Sequence, residues 1–356
     1  MAILKAAVIG CGSISRHHMN GYMADPNVEL YALCDINKAR ALEKAKTYGV
    51  PEERVFDDKD EMFKALPEID LVSVTTWNSA HAECTIAALN AGKHVICEKP
   101  MALNAKQAEE MKAAAEKNGK LLQIGFVRRY ENYCRLLKEY VDADFFGEIY
   151  YAKTTYLRRN GNPGGWFGDK SRSGGGPLID LGVHVIDYVR YLKGKPKAVS
   201  VYGATYQKLF DRPNIKEAKG YIAARDENEE KPPVDVEDLA AAMIRFEDGT
   251  SMTVEASFSL NGKPKGEIEL FGVNGGAKLD SKLHFFSEMN GRLVDIEPDG
   301  VSELDFDSLF KVEIAHFVDC ILNGTECIAP AEDGVELMRI LDGIYESART
   351  GHEVLL

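Results

Sequence analysis

Up to about residue 125, continuous apolar runs alternate with stretches in which apolar residues recur every three to four positions. The runs cover 3–10, 28–35, 69–75, 94–98 and 120–126. Their lack of polar alternation predicts parallel strands covered on both faces. The periodic stretches predict helices at 13–24, 38–48, 60–66, 80–91 and 105–118, with Gly49, Gly92 and Gly119 where helix C-caps fall. Strand and helix in strict alternation imply an α/β domain, a doubly wound parallel sheet over residues 1–125.

The pattern changes after 126. A helix is expected at 131–140, a long strand at 148–158, a glycine-rich stretch at 160–176 and a helix at 178–192. Period-two segments follow at 198–206, 239–246, 251–260 and 267–271. Glu247-Asp248-Gly249-Thr250 joins two of them as a hairpin turn. Helices at 309–322 and 331–349 close the chain. Residues 126–356 thus read as an α+β domain, a large, mostly antiparallel open sheet with helices on one face. The polar, proline-containing stretch 211–234 reads as a surface loop, and no internal repeat is visible.

Composition narrows the function. At 356 residues the chain has room for two cores. A formal net charge of −13 argues against nucleic acid or an anionic membrane as partner. No apolar run approaches the ~18–20 residues of a membrane span, and no basic segment followed by an apolar stretch opens the sequence, so no secretory signal is expected. The seven cysteines are dispersed without a C-x-x-C pair, which predicts reduced, mostly buried thiols, no metal and a cytoplasmic setting.

The chemistry gathers at predicted strand ends. The first strand runs into Gly10-Cys11-Gly12-Ser13-Ile14-Ser15. There the first glycine permits a tight turn and the second lets the backbone approach a pyrophosphate at a helix N-terminus; Ser15 stands in for the third glycine of G-x-G-x-x-G. Asp35 ends the second strand 23 residues after Gly12, placed to accept hydrogen bonds from adenosine ribose hydroxyls and to repel a 2′-phosphate, which favours NAD over NADP. The alternative is that Asp35 only caps a helix. Thr76, Trp77, Asn78 and His81 follow another strand end and are candidates for the nicotinamide half; His81 also suits a helix start with no further role. Glu98 and Lys99 end the 94–98 strand, with Pro100 restricting Lys99. Farther on, Gly174-Gly175-Gly176 precedes Asp180 and His184, which at i, i+4 share a helix face. The glycines would let the backbone approach a ligand. Histidine near its ordinary pKa suits proton abstraction from a hydroxyl while hydride leaves the carbon; a purely structural Asp–His pair is the competing reading.

Taken together, Gly10-x-Gly12-x-Ile14-x-x-x-His18, Thr76-x-Asn78-x-x-His81, Glu98-Lys99-Pro100 and Gly174-Gly175-Gly176 to Asp180-x-x-x-His184 resemble the glucose–fructose oxidoreductase/inositol dehydrogenase/MocA (Gfo/Idh/MocA) family along essentially the whole chain. The resemblance implies a Rossmann domain followed by an open-sheet domain often used for oligomerisation, here as a homodimer or homotetramer. It also implies a catalytic set of Lys99, Asp180 and His184, with His184 as acid/base and Lys99 hydrogen-bonded to the reacting hydroxyl. Trp77 stands where proline is usual, and His17 or His18 fits the family's histidine position. Arg128 resembles the segment leading into the substrate pocket, and is a candidate for substrate or cofactor contact or a salt bridge. The stretch holding Tyr156, Arg158 and Trp166 resembles members acting on sugars or glycosides; these are pocket candidates or sheet and loop packing. The expected activity is NAD-dependent oxidation of a secondary hydroxyl of a sugar, polyol or glycoside, with the C3 hydroxyl of a glucoside as a candidate position. A redox-neutral enzyme or a reductase with tightly held NAD(H), and a non-catalytic NAD-sensing regulator, are the alternatives.

Overall fold

A computed structural model describes residues 3–209, 212, 214, 215, 223 and 234–356. The expected loop at 211–234 therefore lies almost wholly outside the described residues.

Six parallel strands, β1 (Leu4–Ile9), β2 (Val28–Cys34), β3 (Val55–Phe56), β4 (Leu71–Val74), β5 (His94–Glu98) and β6 (Leu122–Gly125), form one sheet in the order β3-β2-β1-β4-β5-β6. Helices α1 (Ser15–Ala24), α2 (Lys38–Tyr48), α3 (Lys59–Ala65), α4 (Asn78–Asn90) and α5 (Ala105–Asn118) connect them. The strand order reverses at β1/β4, and ligands of such sheets bind at that point beyond the carboxyl ends of the strands. Left-handed Gly49 and Gly119 end α2 and α5. The two-residue β3 was not foreseen, being too short to leave a pattern.

Helix α6 (Asn132–Asp142) leads to β7 (Ile149–Leu157), then a short α7 (Lys170–Ser173), one π turn at Leu178–Gly182, and α8 (Val183–Leu192). Strands β8 (Ala198–Tyr206), β9 (Leu239–Phe246), β10 (Ser251–Ser257), β11 (Lys265–Gly272), β12 (Gly275–Leu279), β13 (Leu283–Met289) and β14 (Arg292–Ile296) follow. With the terminal β15 (Val354–Leu355) they form a nine-stranded sheet, β14-β13-β12-β11-β7-β10-β9-β8-β15, antiparallel except for β10 beside β7. Ala152, Thr154, Ile244, Phe246, Met252, Val254 and Ala256 alternate inward along three of its strands, and α8 packs on β7. Strands β12–β14 went unforeseen because their outer positions mix charged and apolar residues, as in Phe286, Met289 and Leu293, all exposed.

The two closing helices are α9 (Phe306–Asn323) and α10 (Ala331–Thr350). Contacts divide the chain into one unit of Met1–Val127 with Asp305–Val335, and another of Arg128–Leu304 with Glu336–Leu356. A single cut near 125 would assign α9 to the second domain. It falls instead with the first, because Ile314, Phe317 and Val318 lie in the same core as Met19, Tyr22 and Leu33. Gly21 of α1 has no room for a side chain, since a Cβ there would come 2.7 Å from Ile314.

Candidate active site

Strand register sets the first half of the site. Ile9 pairs with Cys34 on one side and Val74 on the other, and Val74 pairs with Cys97. Gly10, Asp35, Thr75 and Glu98, each next in sequence, therefore finish at one edge of the sheet. Gly10 has φ +92°, and a Cβ on it would come 2.8 Å from the Thr75 backbone. The Thr75 hydroxyl donates to the Gly10 carbonyl at 2.6 Å and locks the turn. Gly12 differs: a Cβ there would meet no protein atom within 4 Å. Its glycine is not required by packing, which leaves backbone access as the physical reason for it. No side chain caps α1 and no acidic residue sits in its first turn, so its N-terminal amides and dipole suit an anion. Ser13 and Ile14 lie in the turn just before α1. Ser15 is buried, with its hydroxyl donating to the Gly12 carbonyl at 2.7 Å, so it works as a clasp in place of the third glycine.

Asp35 does more than the sequence disclosed. Its Oδ2 accepts from the Cys11 amide at 2.7 Å and its Oδ1 from the Asn37 amide at 2.8 Å, with Arg40 at 3.5 Å. The helix cap is Asn37, which accepts from the Arg40 amide. A carboxylate has about four lone-pair sites, so acceptor capacity for ribose hydroxyls remains. Open backbone at Gly12, an uncapped helix and a carboxylate 23 residues on fit a dinucleotide's pyrophosphate and adenosine ribose.

Behind the strand ends lies a buried polar network. His18, fully buried, joins Ser73 Oγ (3.0 Å) through Nδ1 and Glu98 Oε1 (2.9 Å) through Nε2. His17 instead pairs with Asp307 and stacks on Phe310, so His18 is the histidine that reaches the strand-end glutamate. Tyr22 and Ser73 share a 2.6 Å hydrogen bond. Burial alone would raise the Glu98 pKa; the His18 hydrogen bond and charge, with Lys99 and His81, outweigh it and hold the carboxyl below its usual value. Glu98 Oε2 also accepts from the Lys99 amide at 3.2 Å, and the Lys99–Pro100 peptide is cis. The His81 ring lies between the carbonyls of Pro100 (2.8 Å) and Thr76 (3.2 Å), tying the Thr76-Trp77-Asn78 segment to the Lys99–Pro100 turn; burial lowers its pKa. Sequence reasoning missed Glu313 on α9, fully buried, with neither carboxylate oxygen hydrogen-bonded. Burial and the charge of Glu98 push its pKa well up. Its place in the apolar stripe Leu309, Phe310, Glu313, Ile314, Phe317 was the available signal.

The second unit carries the remaining candidates. Of residues 175–190, all are buried except Asp180 and His184, which are half-exposed. The expected α-helix begins with the π turn Leu178–Gly182, so Asp180 sits in the wider turn and His184 in the first turn of α8; single π turns recur at functional sites. The glycine run has a different reason from the one expected. A Cβ on Gly175 would come 2.0 Å from the Tyr345 hydroxyl, and one on Gly176 2.1 Å from the Glu237 carbonyl. Protein atoms crowd this backbone at Gly175 and Gly176. Glu237, also missed, accepts from the amides of Gly176 (3.0 Å) and Leu178 (3.1 Å) and from Tyr345 Oη (2.9 Å), capping the helix. Burial raises its pKa against those hydrogen bonds.

Arg128 forms a two-point ion pair with Glu131 (2.8 and 3.3 Å) and lies 5.2 Å from the Tyr188 ring centroid. Its neighbour Arg129, not singled out from sequence, is wholly buried and bidentate on Asp187 (3.0 and 2.5 Å), fixing this segment to α8. Tyr156 packs with Phe167 against Leu181, Ala256 and Phe258, beneath the π turn. Arg158 lies over the Tyr156 ring and donates to Gly161 O at 3.2 Å. Trp166 stacks on Phe167 with centroids 4.0 Å apart.

A β3-β2-β1-β4-β5-β6 parallel sheet with an open glycine turn at an uncapped helix, in a chain whose second unit leaves Asp180 and His184 half-exposed, defines a two-domain dinucleotide-dependent oxidoreductase. Residues 4–126 match the oxidoreductase family NAD-binding Rossmann fold (GFO_IDH_MocA), and residues 134–278 match the GFO/IDH/MocA C-terminal domain. The chain is 33% identical to D-glucoside 3-dehydrogenase of Escherichia coli (strain K12), over 99% of this chain and 97% of that protein. It is 29% identical to scyllo-inositol 2-dehydrogenase (NAD(+)) of Bacillus subtilis (strain 168), over 99% and 96%. A solved levoglucosan dehydrogenase in complex with NADH superposes with a TM-score of 0.83 at 26% identity, over 99% of this chain and 98% of that one. The chain belongs to the Gfo/Idh/MocA family and is an NAD-dependent oxidoreductase acting on CH–OH groups.

Proposed function

We propose that this enzyme oxidises a secondary hydroxyl of a sugar, polyol or glycoside, with the C3 hydroxyl of a glucoside as the first candidate. The half-exposed pair Asp180 and His184, set in an otherwise buried stretch, carries the reading. Similarity to D-glucoside 3-dehydrogenase along nearly the full length supports the position. Bound NAD supplies the acceptor for the hydride that leaves the carbinol carbon. His184 takes the hydroxyl proton onto a ring nitrogen, and Asp180 orients the ring and stabilises its protonated form. Lys99 hydrogen-bonds the reacting oxygen and favours its alkoxide character. Gly10, Gly12, Ser13, Ile14, Asp35, Thr76, Trp77, Asn78, His81 and Glu98 form the cofactor cradle, with Arg128 reaching cofactor or substrate. Tyr156, Arg158 and Trp166 line the sugar site, where aromatic faces suit the apolar faces of pyranose rings.

We place the enzyme in the cytoplasm as a homo-oligomer. No helix among the described residues is long and apolar enough to cross a membrane, and no disulfide joins the described cysteines. Tyr150, Tyr202, Met243 and Phe286 are exposed on the nine-stranded sheet, with Tyr202 directly opposite Met243, and such apolar patches suit a partner sheet. A second reading, retention of NAD(H) through a redox-neutral cycle, draws support from a Caulobacter crescentus aldose-aldose oxidoreductase structure at TM-score 0.82 and 26% identity.

Glucoside-dependent NADH formation in His184→Ala should fall by about 10²–10⁴-fold, the usual worth of a positioned acid/base, while NAD binding by calorimetry stays unchanged. Undiminished turnover would remove His184 from the chemistry.

A further inference from the structure

α9 ends at a small cluster of soft donor atoms in the first unit. His316 and Cys320 are i, i+4 on one face of the helix. Left-handed Gly324 stops the helix, and the chain folds back to bring in Cys327. One ring nitrogen of His316 and the two Sγ atoms all lie within 4.8 Å of one another. Cys320 Sγ is 3.4 Å from His316 Nε2. Zinc–nitrogen bonds of ~2.0 Å and zinc–sulfur bonds of ~2.3 Å at a tetrahedral angle put those two atoms ~3.5 Å apart, so this edge already has ligand spacing. Nε2 accepts from the Ile328 amide at 3.2 Å, which makes it the nitrogen that carries the lone pair. Cys327 Sγ lies 3.5 Å from Oε1 of buried Gln123 on β6.

We propose that His316, Cys320 and Cys327 bind one zinc ion, with water completing the tetrahedron. Two thiolates neutralise the dication, which suits a half-buried site, and imidazole with thiolates selects zinc over magnesium or calcium. When Nε2 turns to the ion, the Ile328 amide can donate to the thiolate of Cys327, the residue before it. The ion fastens the end of α9 to the segment after Gly324. That segment runs along β6, the edge strand, through Ile124 N–H to Ala329 O at 2.9 Å and the bridge between Gln123 and Pro330. The role is structural and independent of the redox chemistry.

The test is anaerobic titration of the reduced, metal-stripped full chain with Co²⁺. One equivalent should give a thiolate-to-cobalt charge-transfer band and tetrahedral visible bands, both erased by Zn²⁺. Cys327→Ser, at a half-exposed position that tolerates the change, and His316→Gln should each weaken binding by more than the ~10–100-fold that loss of a ligand's hydrogen-bonding neighbour costs. Absence of stoichiometric binding, or binding in either variant as tight as in the native chain, would overturn the proposal. So would a Cys320–Cys327 disulfide forming in air equally fast with and without Zn²⁺, read by mass spectrometry after alkylation.

Discussion

Two glycine-rich turns each precede a helix start, and they keep their glycines for opposite reasons. At Gly10–Gly12 the first glycine is crowded by the Thr75 backbone while the second faces no protein atom, and α1 begins without a side-chain cap. At Gly174–Gly176 the last two glycines are crowded by Tyr345 and Glu237, and the helix start already holds an anion of the protein's own, the Glu237 carboxylate. A helix N-terminus attracts negative charge in either case. What separates a ligand site from a structural joint is whether the chain has filled that place itself.

The largest effect should come from adding one methyl group to each turn. Gly176→Ala drives a Cβ into the Glu237 carbonyl and should cost about 3 kcal/mol or more of stability, the upper range for overpacking, read from the denaturant midpoint. Gly12→Ala should leave stability within ~0.5 kcal/mol yet weaken NAD binding about tenfold, ~1.4 kcal/mol, by calorimetry. If Gly12→Ala unfolds the protein and Gly176→Ala does not, the contrast is wrong.

Removing the built-in anion comes next. Glu237→Ala strands two amides and the Tyr345 hydroxyl, and should lose about 1–3 kcal/mol with little change in NAD affinity. Glu237→Gln isolates the titration. The folded pKa lies above the unfolded ~4.3, so the folded state holds the proton more tightly. Stability of the native protein relative to Glu237→Gln should therefore decline as pH rises through the unfolded value to the raised one, then level off. A rise over that window would contradict the assigned burial effect.

The smallest change tests how the open turn is held. Asp35→Asn keeps one acceptor for the Cys11 or Asn37 amide but loses the charge, for about 1 kcal/mol in stability. NAD should weaken and NADP gain relative to it; unchanged cofactor preference in paired kinetics would limit Asp35 to its internal hydrogen bonds.

Most of the parallel sheet was legible because all its strands except the two-residue β3 are unbroken apolar runs and α2 and α5 carry local caps, so α2, α5 and β5 have the expected limits. Glu237 was not legible: it binds amides 59 and 61 residues away, and no local pattern encodes that distance. The π turn was hidden for a similar reason, since five residues wind differently without any change in apolar spacing. Asp180 and His184 were singled out by spacing, but their lone exposure among residues 175–190 required the fold. The choice of His18 over His17 rested on which ring reached Glu98, and adjacent identical residues give no sequence signal for it.

The return of α9 to the first unit bears on modularity. Ile314, Phe317 and Val318 are supplied nearly two hundred residues after the last strand of the sheet whose core they help to fill. A fragment ending at residue 127 would expose the α1 surface around Gly21 and Tyr22 to water. Grafting this cofactor-binding half onto another enzyme thus takes three junctions, near 127, 305 and 335, so whole-domain exchange by a single crossover is closed to this architecture.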